Sequence, residues 1–131
     1  MFEVSVSGWF AAAHQLRMPD GHVEPLHGHN WRVRVRVRGL RPDASGMLTD
    51  FVALKRHLDG LLAELHDRNL NDLPMFERHN PSAEHVAEYL AQRLAGAAEP
   101  PARLYCVQIE EAPGCVARYY PPGTVSADGP P

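Results

Sequence analysis

Leu26-His27-Gly28-His29-Asn30-Trp31-Arg32-Val33-Arg34-Val35-Arg36-Val37-Arg38 is the stretch whose reading decides the fold. Its second half alternates valine with arginine, the period-two pattern of a half-buried strand, and side chains two apart on a strand share a face. His27 and His29 then point to the side that carries Trp31, Val33, Val35 and Val37, with a glycine between them where close backbone approach is useful. A second alternating run, Phe2-Glu3-Val4-Ser5-Val6-Ser7, leads through Phe10 to His14. Pairing the two strands brings His14 beside the other two. Three histidines on one metal make an open zinc site, with a fourth position kept for water or substrate, the arrangement of catalytic rather than structural centres. A His-x-His pair alone is more often two satisfied polar side chains at a strand edge than a metal site. The third histidine, after its own strand, is what favours a metal.

With 131 residues, 44% of them hydrophobic and 22% charged, the chain has the size and composition of one globular domain. That domain is expected over 1–120, followed by a Pro/Gly-rich tail over 121–131. A formal charge of −3 gives no general attraction to nucleic acid. The four arginines alternating along 32–38 form a local basic face, expected to be solvated or subunit-facing, because no aromatic residues are interleaved for base stacking. A hairpin turning near Ala112-Pro113-Gly114 puts Cys115 opposite about residue 110, away from Cys106, so no disulfide is expected. The N-terminus lacks the basic and apolar regions of a signal peptide, and no apolar run approaches the roughly 18 residues of a membrane helix. A cytoplasmic location and no membrane partner are the expectation.

Period and punctuation place the remaining elements. A first strand is expected over 2–10, a loop containing His22 and Glu24 over 15–26, and the second strand over about 29–38. Phe51, Leu54, Leu58, Leu61, Leu62 and Leu65 recur at helical spacing behind Thr49 or Asp50 as N-cap, which predicts a helix over 51–65. Asn80-Pro81-Ser82-Ala83-Glu84 opens a second amphipathic helix that ends near Gly96. Strands over 104–110 and 115–120 form a closing hairpin. The order ββααββ is an α+β architecture, a four-stranded antiparallel sheet with both helices on one face. Such a sheet leaves edges to be paired or covered, which an oligomer closing sheets into a barrel would achieve.

Six segments in this order resemble the 6-pyruvoyl-tetrahydropterin synthase / 6-carboxytetrahydropterin synthase family: Phe10-Ala11-Ala12-Ala13-His14, His27-Gly28-His29-Asn30, Gly46-Met47-Leu48-Thr49-Asp50-Phe51, Leu70-Asn71-Asp72, Asn80-Pro81-Ser82-Ala83-Glu84, and Glu110. The resemblance implies a tunnelling fold, a homo-oligomer (trimer or hexamer) with active sites at subunit boundaries, and a pterin substrate, usually 7,8-dihydroneopterin triphosphate. It assigns His14, His27 and His29 as Zn²⁺ ligands, Glu110 as the carboxylate that anchors the pterin ring, and Ser82 as a further substrate-binding residue.

Two departures bear on the chemistry. The best-known branches carry a catalytic cysteine four or six residues before the first histidine of His-Gly-His, where this chain has Val23 and Gly21. Glu24 instead stands three residues before His27, giving Glu-x-x-His-Gly-His, which resembles the branch that cleaves the side chain to 6-hydroxymethyl-dihydropterin. Relatives also commonly read Asp-His where this chain reads His66-Asp67. The order is inverted, so either residue, or neither, takes the protonating role. The expectation is therefore a zinc-dependent lyase acting on a dihydropterin side chain through Glu24. Two alternatives remain: a 6-carboxytetrahydropterin synthase or specialised-pathway pterin enzyme, and a catalytically lapsed protein that binds a pterin or holds zinc only for its fold.

Overall fold

β1 (Phe2–His14) and β2 (His27–Gly39) pair antiparallel along their whole length, from Phe2 opposite Gly39 to His14 opposite His27. Both strands are longer than their alternation suggests: β1 continues four residues past Phe10 and β2 begins at His27. The two histidines expected near strand ends are thus inside the ladder and face each other across it. The computed structural model describes residues 1–125, and the end of the expected tail, 126–131, lies outside the described residues.

β4 (Arg103–Ala112) adds to β2 and β5 (Cys115–Tyr119) adds to β4, both antiparallel, completing the four strands expected. A short extra strand, β3 (Arg68–Asn69), lies parallel to β1 at Ala12 and Ala13, so the sheet order is β3-β1-β2-β4-β5. Local periodicity could not show this two-residue piece. The hairpin register also differs: Ala112 faces Cys115 and Glu110 faces Val116, with Glu111 the extra residue of a bulge. Cys106 is buried, Cys115 is exposed, and neither forms a disulfide.

The helix α1 (Phe51–Leu65) forms at the expected bounds because Asp50 caps it, its carboxylate accepting from the backbone N–H groups of Val52 and Ala53. α2 (Ala83–Arg93) starts where Ser82 accepts from the His85 N–H, and it ends a few residues before Gly96. Leu54, Leu58, Leu61, Leu62 and Leu65 of α1, with Val86, Ala87, Leu90 and Ala91 of α2, are buried against the apolar sheet face. Gly8 lets α1 approach: a Cβ there would lie 2.7 Å from Leu62 Cδ1. No described helix is long and apolar enough to cross a membrane.

Alternation gives the sheet two unlike faces. The covered face carries Phe10, Trp31, Val33, Val35, Val37, Val107 and Ile109, all essentially inaccessible. Each such side chain contributes roughly 1.5–3 kcal/mol on burial. The other face carries the arginines of β2 and is covered by no helix. Trp31 links core to site. Its ring stacks on Phe10 at 5.6 Å, its indole N–H donates to the Ala12 carbonyl, and its edge meets the rings of His14 and His29.

Candidate metal centre and active site

At the end of the covered face, His14, His27 and His29 bring three ligand nitrogens within 4.8 Å of one another. Strand geometry does this. His14 and His27 are ladder partners, and His29, opposite Ala12, is the next residue of β2 on the same face.

The outer nitrogens are held by carbonyls. His14 Nδ1 lies 2.7 Å from the Pro81 oxygen and His27 Nδ1 lies 2.8 Å from the Pro25 oxygen. A carbonyl only accepts, so both Nδ1 atoms carry the proton and both Nε2 atoms present lone pairs inward. Those two Nε2 atoms are 3.1 Å apart, which calls for a shared cation, either a proton or a metal ion. His29 Nε2 favours the metal ion, because it is buried without a protein hydrogen-bond partner, and a proton shared by the other two would leave it unsatisfied. Burial is also the main cause that holds the pKa of His29 below the usual histidine value, against the opposing pull of Glu111 and with the help of His14 and His27. The neutral imidazole is the form that binds metal. The three residues therefore fit a metal ion.

Glu24 is placed beside this cluster. Its carboxylate accepts from the Leu16 N–H at 3.0 Å, its own N–H donates to the Leu16 carbonyl, and its Oε1 lies 3.9 Å from His27 Nε2. The loop is fixed from its other side by two asparagines. Asn71 bonds both backbone groups of Gln15, and Asn80 bonds both backbone groups of Arg17. Each amide replaces a missing strand neighbour. His22, in the same loop, pairs with Asp20 and is exposed.

Glu110 requires a correction. It stands opposite Arg32 on the uncovered face, away from the histidines. The carboxylate at the cluster is Glu111, whose Oε1 is 3.2 Å from His14 Nε2 and whose side chain is 29% exposed. Two residues beyond Ile109 it shares the covered face, and a shift of one residue along a strand exchanges faces. That parity was the available signal, and the bulge marks the position. Glu111 does not belong to the compact set of ligand atoms that the three histidines form.

Ser82 is engaged as the N-cap of α2, accepting from the His85 N–H, and the neighbouring Pro81 carbonyl reaches His14. His66 and Asp67 follow α1 along the edge of β1. His66 Nδ1 accepts from the Ala11 N–H, Asp67 N–H donates to the Ala11 carbonyl, and the His66 ring meets Trp9 edge-on. Asp67 has φ of 58°, the left-handed region that aspartate tolerates better than most residues. Of the two, Asp67 shares a shallow depression with Ala11, Gly28, His29 and Asn30. His66 Nε2 lies 3.5 Å from the Asp67 carboxylate.

Residues 3–122 match the 6-pyruvoyl tetrahydropterin synthase family. A 6-carboxy-5,6,7,8-tetrahydropterin synthase from Synechocystis is 37% identical over 118 residues, covering 86% of this chain and 88% of its own. A dihydroneopterin monophosphate aldolase from Pyrococcus furiosus is 35% identical over 85 residues, 65% of this chain and 68% of its own. The Caenorhabditis elegans 6-pyruvoyl tetrahydropterin synthase structure superposes with a TM-score of 0.78 at 28% identity, covering 91% of this chain and 94% of that one. With the family match, the sequence identity to these relatives and the superposed structure in agreement, the chain belongs to the 6-pyruvoyl tetrahydropterin synthase family of pterin-biosynthesis enzymes.

Proposed function

We propose that this protein is a zinc-dependent lyase that cleaves the side chain of a phosphorylated 7,8-dihydroneopterin, with 6-hydroxymethyl-dihydropterin as product. The observation that carries this is Glu24, a carboxylate held on the Leu16 N–H beside His27. His14, His27 and His29 would hold Zn²⁺, three imidazoles being a usual catalytic set. When bound, the ion supplies Lewis acidity that eases deprotonation of a side-chain hydroxyl.

The chain's own residues do the rest. Glu24 takes the proton of the 2′-hydroxyl; the C1′–C2′ bond breaks as a carbonyl forms at C2′, and its electron pair passes into the ring imine. Protonation at C1′ then leaves the hydroxymethyl group. Asp67, coupled to His66, is the proposed donor, with the part of the β1 edge that β3 leaves open and the edge of β5 joining copies into a barrel that places sites at subunit boundaries. The relationship to an aldolase of dihydroneopterin monophosphate supports carbon–carbon cleavage. The 37% identity to a 6-carboxytetrahydropterin synthase favours a second reading, in which the same groups generate the carboxylated pterin.

Mass analysis of products from dihydroneopterin triphosphate and monophosphate separates these readings. 6-Hydroxymethyl-dihydropterin is expected. A 6-carboxylated product establishes the second reading, and a bound but unchanged pterin establishes a non-catalytic protein.

We assign the pterin-holding carboxylate to Glu111, because it flanks the histidines whereas Glu110 faces the other way. A carboxylate pairs with the amino and ring N–H groups of a pterin through two charge-assisted hydrogen bonds. Glu111→Gln is expected to weaken pterin binding about tenfold or more, the scale of a hydrogen bond to a charged group, with metal content retained. Fluorescence titration checks this, and loss of affinity in Glu110→Gln alone would return the role to Glu110.

A further inference from the structure

The uncovered face of the sheet holds a group of cations that the pterin chemistry does not use. Arg32, Arg34, Arg36 and Arg38 project from β2 on this face, and Arg118 of β5 joins them across Gln108. Of these five arginines only Arg38 has a carboxylate partner among the described residues, Glu3 at 2.7 Å. Arg36 and Arg118 are held instead by one neutral acceptor: Gln108 Oε1 receives Arg36 Nη2 at 3.1 Å and Arg118 Nε at 2.9 Å. Arg34 is the ladder partner of Gln108 on the other side. An amide oxygen positions two guanidinium groups without cancelling either charge, so like charges are kept together and oriented. Arg34 and Gln108 also line a cavity of about 670 Å³, with Trp9, Asn30, Arg32 and Glu110, which Arg36 and Arg118 do not line.

We propose that Arg34, Arg36 and Arg118, organised by Gln108, form a binding site for a small polyphosphate anion on the sheet face opposite the histidines. Guanidinium forks match phosphate oxygens bidentately, and two of them held on one oxygen, with Arg34 opposite Gln108 on the ladder, suit linked phosphates better than a single carboxylate. A free polyphosphate and the phosphorylated end of a small metabolite share this chemistry. The chain's net negative charge and the confinement of the patch to one face argue for a small ligand over a nucleic acid.

The test is calorimetric titration of the metal-loaded protein with inorganic tripolyphosphate, at low and at physiological salt. Saturable binding is expected, weakened by salt, and weakened about 10- to 100-fold in Arg36→Gln and in Arg118→Gln. Gln108→Glu keeps an oxygen acceptor for both arginines but supplies an internal anion, and it is expected to abolish binding while thermal melting stays near that of the parent. Arg78→Gln, a charge change elsewhere, should leave affinity unchanged, as should removal of the metal by chelator, which excludes capture of tripolyphosphate by the histidine-held ion. A phosphorylated pterin that competes with tripolyphosphate identifies the metabolite source, and its failure to compete identifies the free anion. The proposal is overturned by absence of saturable binding, by equal weakening in Arg78→Gln, by full affinity in both arginine variants, or by tighter binding of a single-stranded oligonucleotide with the same number of phosphates.

Discussion

Replacing His29 by alanine is expected to strip the metal from the protein. The three ligand nitrogens are the only compact donor set among the described residues, and His29 Nε2 is the buried one that has no other partner. Losing merely an outer-shell partner of a metal ligand costs roughly 10- to 100-fold in affinity, and losing one of three ligands should cost more. His27→Ala should act in the same direction, although His27 is more exposed and its Nδ1 is held only by a carbonyl two residues away. Elemental analysis after dialysis against a chelator measures the effect directly. Because metal bound to the folded state alone stabilises it by mass action, chelator should also lower the melting temperature of the parent and leave that of His29→Ala unchanged. Full metal content in both variants would refute the three-histidine centre.

Glu24→Ala is expected to lower turnover by about 10²-fold or more, the usual scale for general acid–base catalysis, with metal content and pterin affinity kept. Alanine alone is ambiguous, because the carboxylate also accepts the Leu16 N–H and so helps to shape the loop. Glu24→Gln resolves this. The amide keeps an oxygen for Leu16 but cannot remove a proton, so a base is lost in both variants whereas a loop anchor is lost only in alanine. The loop has independent supports in Asn71 and Asn80, so it is expected to hold its shape in either variant. Turnover at the parental rate in Glu24→Gln would show that Glu24 only anchors the loop, and carbon–carbon cleavage would lose its main support.

Local pattern alone determined the strand over about 29–38, the helix at Phe51–Leu65, the capped start of the second helix, and the convergence of His27 and His29 with His14. Each follows from spacing within one segment, or from pairing two alternating segments, and the period of a strand or helix carries that information. Tertiary structure decided the rest. Glu110 and Glu111 are adjacent in sequence; parity with Ile109 points to Glu111, and the register of β4 against β2 with the contact to His14 is what places it at the histidines. The anchoring of the loop by Asn71 and Asn80 spans more than fifty residues, as does the bond from Ala11 to His66, and no local period encodes a partner so distant. The same holds for the arginines of β2. Their alternation announced a polar face, but Gln108 and Arg118 come to it from two later strands, and it is sheet order that makes a row of surface charges into a set of oriented donors.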